Sequence, residues 1–203
     1  MPKQTFFNLN DDKKSKLVEA AREEFSRVSL YEASIANILK RAEIPRGSFY
    51  QYFRDKEDAF FYLLNEHAEE RHKNFIENVK KFNGDLFQAM IEVYKTVFQF
   101  SRENGTSNFV RNVLMNMNYK IEHAFTKNLT KQNIEHRFHD IYRLVDMEAL
   151  HVSDEKEFYH LMQVLIAVTF HNLVHCVSNE LSETEALDKY ISELSLLKKG
   201  LVK

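Results

Sequence analysis

Arg41–Phe60 reads RAEIPRGSFYQYFRDKEDAF. The whole chain of 203 residues holds only two prolines and four glycines, yet Pro45 and Gly47 stand here on either side of Arg46. Four aromatics follow within five positions: Phe49, Tyr50, Tyr52 and Phe53. Phe49 and Phe53 are four apart, so on a helix they share one face and can turn inward. Arg46, Ser48, Tyr50, Gln51 and Tyr52 are then left for the other side or the flanks. Pro45 stops whatever precedes it and suits the first turn of a new helix, where its missing N–H costs nothing.

Working outward, Asn10-Asp11-Asp12 can cap a helix whose apolar positions are Leu17, Ala21, Phe25 and Val28. Ser29–Ala33 breaks that period, and Ser34 is a plausible N-cap for a short second helix with Ile35, Ile38, Leu39 and Ala42 inside. Two short helices joined by a tight turn, the second bearing Arg, Gly, Ser and Tyr outward, form a helix-turn-helix. The residue types suit DNA. Arginine reads guanine bidentately, glutamine reads adenine, and Tyr and Ser hydroxyls hold phosphate oxygens. Gly47 permits close backbone approach. Lys56 opens the following helix, where a positive charge and free N–H groups favour phosphate.

The segment Ile35–Phe60, IANILKRAEIPRGSFYQYFRDKEDAF, resembles the DNA-binding region of the TetR family of bacterial transcriptional regulators. Ile38, Ala42, Ile44, Gly47, Phe49, Tyr50, Tyr52, Phe53, Lys56 and Glu57 match that family's pattern in order and spacing. The resemblance implies a homodimer that binds a palindromic operator, usually as a repressor, and is released by a small-molecule effector. By position it implies DNA contacts for Ser34, Arg46, Gly47, Ser48, Tyr50, Gln51, Tyr52 and Lys56, with Arg46 and Gln51 first among the base readers. Three positions depart from the pattern. Glu43 replaces the turn glycine, where a left-handed backbone is expected. Leu39 stands for a small alanine, and Pro45 for the usual serine cap.

Beyond Lys56 the helices lengthen. Asp55 can cap one reaching about Lys81, with Ala59, Leu63 and His67 inside, and Asn83-Gly84-Asp85 makes a turn. The next carries Phe87, Ile91, Tyr94 and Phe98 and should end near Asn104-Gly105. Residues 107–150 read as one short and one long helix. Ser153 opens another through about Val177, and Ser182–Glu185 fits a capping box for a last helix with Leu187, Tyr190, Leu194, Leu197 and Leu201 in its seam. No stretch alternates as a strand does. The expected fold is therefore all-α: a three-helix helix-turn-helix domain over residues 1–55, then a ligand-binding and dimerisation bundle over 56–203. The last two helices carry more apolar surface than one bundle needs, which predicts a homodimer through Leu165, Val168, Leu187, Tyr190, Leu194 and Leu197. An apolar effector cavity would draw on Tyr94, Phe98, Phe109, Met115, Phe125, Tyr142, Met162, Phe170 and His171.

Composition narrows the remaining classes. One cysteine, Cys176, excludes a disulfide framework and a four-cysteine zinc site. Leu161–Val177 is about a membrane span long, but His171, Asn172 and His175 interrupt it and favour a buried helix. The first residues show no basic-then-apolar leader, so a cytoplasmic protein is expected. Residues 1–56 carry a net charge of +3 and the remainder −5, a mild asymmetry that favours a polyanion at the front. The alternative class is a helical di-iron-like oxidative enzyme, because Glu69–His72 and Glu157–His160 both read Glu-x-x-His. That chemistry needs both motifs to converge. No catalytic residue, metal or cofactor is expected, and His171 with His175 is read as interface or cavity lining.

Overall fold

The computed structural model describes residues 2–45, 47–102, 108–116 and 131–201, and among them every regular element is helical. In chain order these are α1 (Gln4–Phe7), α2 (Asp11–Arg27), α3 (Ile35–Arg41), α4 (Phe49–Tyr52), α5 (Lys56–Lys81) and α6 (Leu86–Phe100). There follow α7 (Asn108–Asn116), α8 (Lys131–Tyr142), a 3₁₀ turn (Met147–Ala149), α9 (Glu155–Ser178) and α10 (Glu183–Leu201).

Several expected caps form. The Asn10 side chain accepts from the Lys13 N–H at 2.9 Å, and Asp55 from the Asp58 N–H at 2.8 Å. Ser182 and Glu185 satisfy each other's backbone N–H at 3.3 and 2.9 Å, a complete capping box. Two boundaries move. Asp154 rather than Ser153 caps α9, its carboxylate accepting from the Glu157 N–H at 2.8 Å. Pro45 lies ahead of the third helix: its carbonyl closes a turn with the Ser48 N–H at 2.9 Å, and regular helix begins only at Phe49.

The chain divides into two compact units, and the division is not at residue 55. The first runs to Ala68 and also takes in α7; the second comprises residues 69–100 and the chain from α8 onward. In the first, Leu17, Phe25, Ile38, Phe49, Phe53 and Leu63 are buried in one apolar cluster. Phe109 of α7 joins that cluster, its ring centroid 5.6 Å from Phe60. Asn112 ties α7 to the end of α2 by donating to the carbonyls of Phe25 and Val28 at 2.7 and 2.6 Å.

In the second unit α10 packs on α6 and α9, and α8 on α9. Tyr94 and Tyr190 stack with centroids 4.0 Å apart, both fully buried. Their hydroxyls are satisfied: Tyr94 donates to Asn172 Oδ1 at 2.6 Å, and Tyr190 pairs with Thr169 Oγ1 at 2.6 Å. Asn172 in turn donates to Glu193 at 2.8 Å, so a buried polar chain links α6, α9 and α10. Burial pushes the Tyr190 hydroxyl up to about 12, which keeps it a neutral partner. Among the described glycines, Gly84 is the one position where only glycine fits. Its φ is +89°, and an added Cβ would meet the Asp146 nitrogen at 2.6 Å.

The zipper-like seam of α10 turns inward. Leu165, Tyr190 and Leu194 are buried inside the second unit and Leu187 is half-buried, so these four do not form an outward face. Among the described residues of α9 and α10, the large apolar side chains left outside are Val164 (49% exposed), Ile166 (45%), Ile191 (39%) and Leu196 (69%). Ala167, Val168, His171, Glu193, Leu196 and Leu197 line an open groove of about 500 Å³ between α9 and α10. Of the predicted interface residues, Val168 and Leu197 belong to this groove and the other four do not.

Candidate nucleic-acid interface

The reading head is assembled by a few polar side chains set on the apolar cluster. Glu24 on α2 is wholly buried and holds the start of α3: it accepts from the Ser34 N–H at 2.9 Å and from Asn37 Nδ2 at 3.1 Å. Arg27 completes the site with two bonds of 2.9 and 3.2 Å. Burial alone would raise the Glu24 pKa, but the bonds from Arg27, Ser34 and Asn37 outweigh it, and the carboxyl sits below its ordinary value. The Glu24 carboxylate thus fixes the start of α3 through the Ser34 backbone N–H, and the Ser34 hydroxyl makes no cap bond.

The turn after α3 closes as a left-handed helix stop. Glu43 has φ +56°, its N–H reaches Lys40 O at 3.4 Å, and the Ile44 N–H reaches Leu39 O at 3.1 Å. This is the Schellman pattern, in which the residue three before the cap also meets the residue after the left-handed one. Leu39 and Ile44 are that pair, one buried in the cluster and one packed against it. The strained backbone expected at Glu43 is present.

On α4, Phe49 and Phe53 are buried with ring centroids 5.3 Å apart, as the spacing predicts. Tyr50 is 55% exposed, Gln51 is exposed, and Ser48 and Tyr52 are half-buried at the flanks. Gly47 is exposed, and a Cβ built there would meet nothing within 4 Å. Arg46 lies outside the described residues. Lys56 is already engaged, donating to the carbonyls of Tyr31 at 2.6 Å and Ala33 at 3.2 Å. It thereby fixes the loop before α3, and one ammonium N–H is left for a phosphate. Asp58 anchors the chain beyond α4: nearly buried, it takes both guanidinium bonds of Arg54 at 2.7 and 2.9 Å. Burial opposes its ionisation, yet the Arg54 bonds hold the carboxyl well below the usual carboxylate range.

Two matches decide the family. Residues 17–63 fit the model for "Bacterial regulatory proteins, tetR family", and residues 85–201 fit "Tetracyclin repressor-like, C-terminal domain". The chain belongs to the TetR family.

Among TetR-family relatives, the chain is 31% identical over 97 residues to the HTH-type transcriptional regulator YdgC of Bacillus subtilis, covering 46% of this chain and 49% of that one. It is 31% identical over 72 residues to the HTH-type transcriptional repressor NemR of Escherichia coli, covering 36% of each. The matched stretches thus span half or less of these relatives. In structure, a TetR-family regulator from Pectobacterium atrosepticum superposes with a TM-score of 0.65 at 17% identity, over 93% of each chain. The reduced form of E. coli NemR gives 0.63 at 18% identity, over 91% of this chain and 96% of that one. At such identities the likeness concerns the fold.

The predicted effector residues that the structure describes lie in different surroundings. Tyr94, Phe98 and Met162 are buried core of the second unit, and Tyr142 packs edge-on against Phe158 at 5.4 Å. His171 is exposed and lines the outer groove, while Phe170 is half-buried. Phe109 belongs to the first unit, stacked on His67 at 5.3 Å, and Met115 is 45% exposed. Phe125 lies outside the described residues.

The two Glu-x-x-His motifs are committed elsewhere. Glu69 pairs with Arg137, and His72 lies 3.8 Å from Asp140. Burial and then Arg137 lower the His72 pKa. Glu157 accepts from the Ser153 N–H at 2.7 Å, and His160 faces Gln163 at 3.2 Å.

Proposed function

We propose that this TetR-family chain is a DNA-binding transcriptional repressor that reads a palindromic operator as a homodimer. The observation that carries the reading is the reversed sidedness of α4. Its two phenylalanines are sealed in the core, while Tyr50 and Gln51 stand exposed beside a glycine that neither the fold's packing nor a left-handed backbone requires. A helix so oriented presents a polar, hydrogen-bonding edge of the kind that enters a major groove. Arg46, Gly47, Tyr50 and Gln51 face the bases, with Arg46 and Gln51 reading them. Ser34, Ser48, Tyr52 and Lys56 contact the backbone.

The apolar strip formed by the exposed Val164, Ala167 and Leu196 with the half-buried Leu197 meets the same strip of a second copy, which fixes two reading heads for two half-sites. A small-molecule effector bound in the C-terminal unit releases the operator, and the protein works in the cytoplasm. The names of the matched relatives, a transcriptional repressor among them, support this reading.

Selection of bound DNA from a random duplex pool at near-physiological salt tests it, because phosphate attraction alone fades with salt and base reading survives. Enrichment of an inverted repeat with half-sites about one helical turn apart supports the reading. A pool that stays random refutes it.

A further inference from the structure

We infer that the N-terminal segment, Pro2–Phe7, is the brace that holds the reading helix in register, and that Lys3 and Thr5 are positioning residues for base recognition. The inference rests on the DNA-reading role proposed above.

Helix α4 has four residues, too few to persist alone, since a single turn fixes many dihedrals for one hydrogen bond. A helix also leaves its last four carbonyls without partners of its own. Here all four carbonyls are satisfied, three of them from a segment more than forty residues away. Phe49 O accepts from the Phe53 N–H at 2.9 Å. Tyr52 O accepts from the Lys3 N–H at 2.8 Å, Tyr50 O from Lys3 Nζ at 2.7 Å, and Gln51 O from the Thr5 hydroxyl.

The segment is itself pinned by packing. Phe6 is fully buried, with its ring centroid 5.0 Å from Phe53 and 4.9 Å from Tyr62, and Pro2 is buried as well. The Lys14 ammonium lies 5.3 Å from the same ring centroid. Lys3 and Thr5 themselves are exposed, so their side chains serve the helix carbonyls and not the core.

The consequence is specific to reading. Backbone carbonyls of the residues that carry Tyr50 and Gln51 are tied to α1, so the pitch of these side chains is set by α1 as much as by the inner phenylalanines. Removing the donors leaves Phe6, Phe49 and Phe53 in place and loosens only the helix end.

The double variant Lys3→Pro/Thr5→Val removes all three donors. The φ of Lys3 is −74°, which proline adopts without strain, and valine keeps the shape of threonine. Thermal unfolding checks that the fold survives, and hydrogen exchange of the free protein reads the brace directly. Exchange at the Gln51–Phe53 amides should speed up about tenfold, the response of a helix end that opens locally. Binding is then compared on the selected operator and on a duplex with one half-site scrambled. The ratio of the two affinities cancels the lost lysine charge, which weakens both duplexes alike. It should fall about tenfold, as when one good base contact is blurred.

Unchanged exchange at 51–53 overturns the brace, whatever the DNA shows. Faster exchange with an unchanged affinity ratio overturns the positioning role while the wild-type discrimination stands. A wild type that cannot tell the two duplexes apart refutes the DNA reading and, with it, the role assigned to Lys3 and Thr5 in recognition.

Discussion

Glu24 is the position where one atom change should travel furthest through the reading head. Its carboxylate is buried and accepts two bonds that fasten α3 to α2, from the Ser34 N–H and from Asn37. Each hydrogen bond to a buried charge is worth about 1.5–3 kcal/mol. The Arg27 guanidinium is 49% exposed, so its share is screened and adds little. Glu24→Ala therefore costs about 3–5 kcal/mol, a large part of a typical domain's total stability. Glu24→Gln keeps one acceptor oxygen and the shape, loses the charge, and costs about 2 kcal/mol.

The pH dependence separates charge from shape. The folded pKa lies below the ordinary carboxylate value, so the unfolded chain takes up the proton first as pH falls. The stabilisation is complete above the unfolded value, about 4.3, and disappears as pH drops through the folded one. Urea unfolding of wild type and Glu24→Gln should show a gap of about 2 kcal/mol at pH 7 that narrows steadily below about pH 4. A gap under about 0.5 kcal/mol at neutral pH, or one constant down to pH 3, would refute the account, because it would mean that the buried carboxylate is not what holds α3.

Other substitutions probe single links. Gly47→Ala should leave stability unchanged or raise it by up to about 1 kcal/mol, since the new methyl meets nothing, while operator affinity falls at least about tenfold. Titration of the selected duplex checks this, and undiminished binding would exclude a close backbone approach there. At the left-handed position 43, stability should rank Gly at or above Glu and well above Val, over a range of about 2 kcal/mol in urea unfolding. A Glu43→Val variant as stable as wild type would rule out strain at that turn. Leu196→Asp, on a side chain 69% exposed in one chain, should weaken the dimer about 100-fold or more while leaving the melting temperature of the monomer intact. Sedimentation velocity reads the outcome, and an unaltered dimer would move the interface elsewhere.

How much of this was legible in the sequence depends on how local the cause was. Asn10, Asp55 and the Ser182–Glu185 box act within one turn of their own helix, and each forms the bond that its spacing implies. Phe49 and Phe53 turn inward for the same reason. Periodicity also says that a face is buried, but not by what. The seam of Tyr190 and Leu194 needs a partner and finds it inside its own unit, on α6 and α9, so the outward face falls to Val164 and Leu196. Helix α7 gave no sign that it would join the first unit, since that depends on Asn112 meeting carbonyls more than eighty positions earlier. Helix α1, of four residues, is too short to show a period, and the first element legible in the sequence starts only at Asn10. Lys56 was legible as a basic residue at a helix start, but its hold on the Tyr31 and Ala33 carbonyls was not.

The helix stops carry a further constraint, which comes from the scarcity of glycine. Three described helix stops bend through left-handed residues that carry side chains, Glu43, Asn83 and Glu180, at φ between +53° and +56°. Each stores about 1 kcal/mol that a glycine would avoid, so the stop holds only if neighbouring contacts impose it. At Glu43 those contacts are Leu39 with Ile44 and the α2–α3 clasp at Glu24. Helix α4 leaves through an extended Phe53 instead, and its end is held by the donors of the N-terminal segment. The reading head is thus built from pieces that are individually unstable and mutually required. Its two helices, of seven and four residues, take their order from α1, α2 and α5, and not from their own propensity. Such a head has two ways to lose an operator. It can lose a contact with the bases, as at Gln51, or it can lose a tie far from them, as at Glu24 or Lys3, with the DNA-facing side chains all still present.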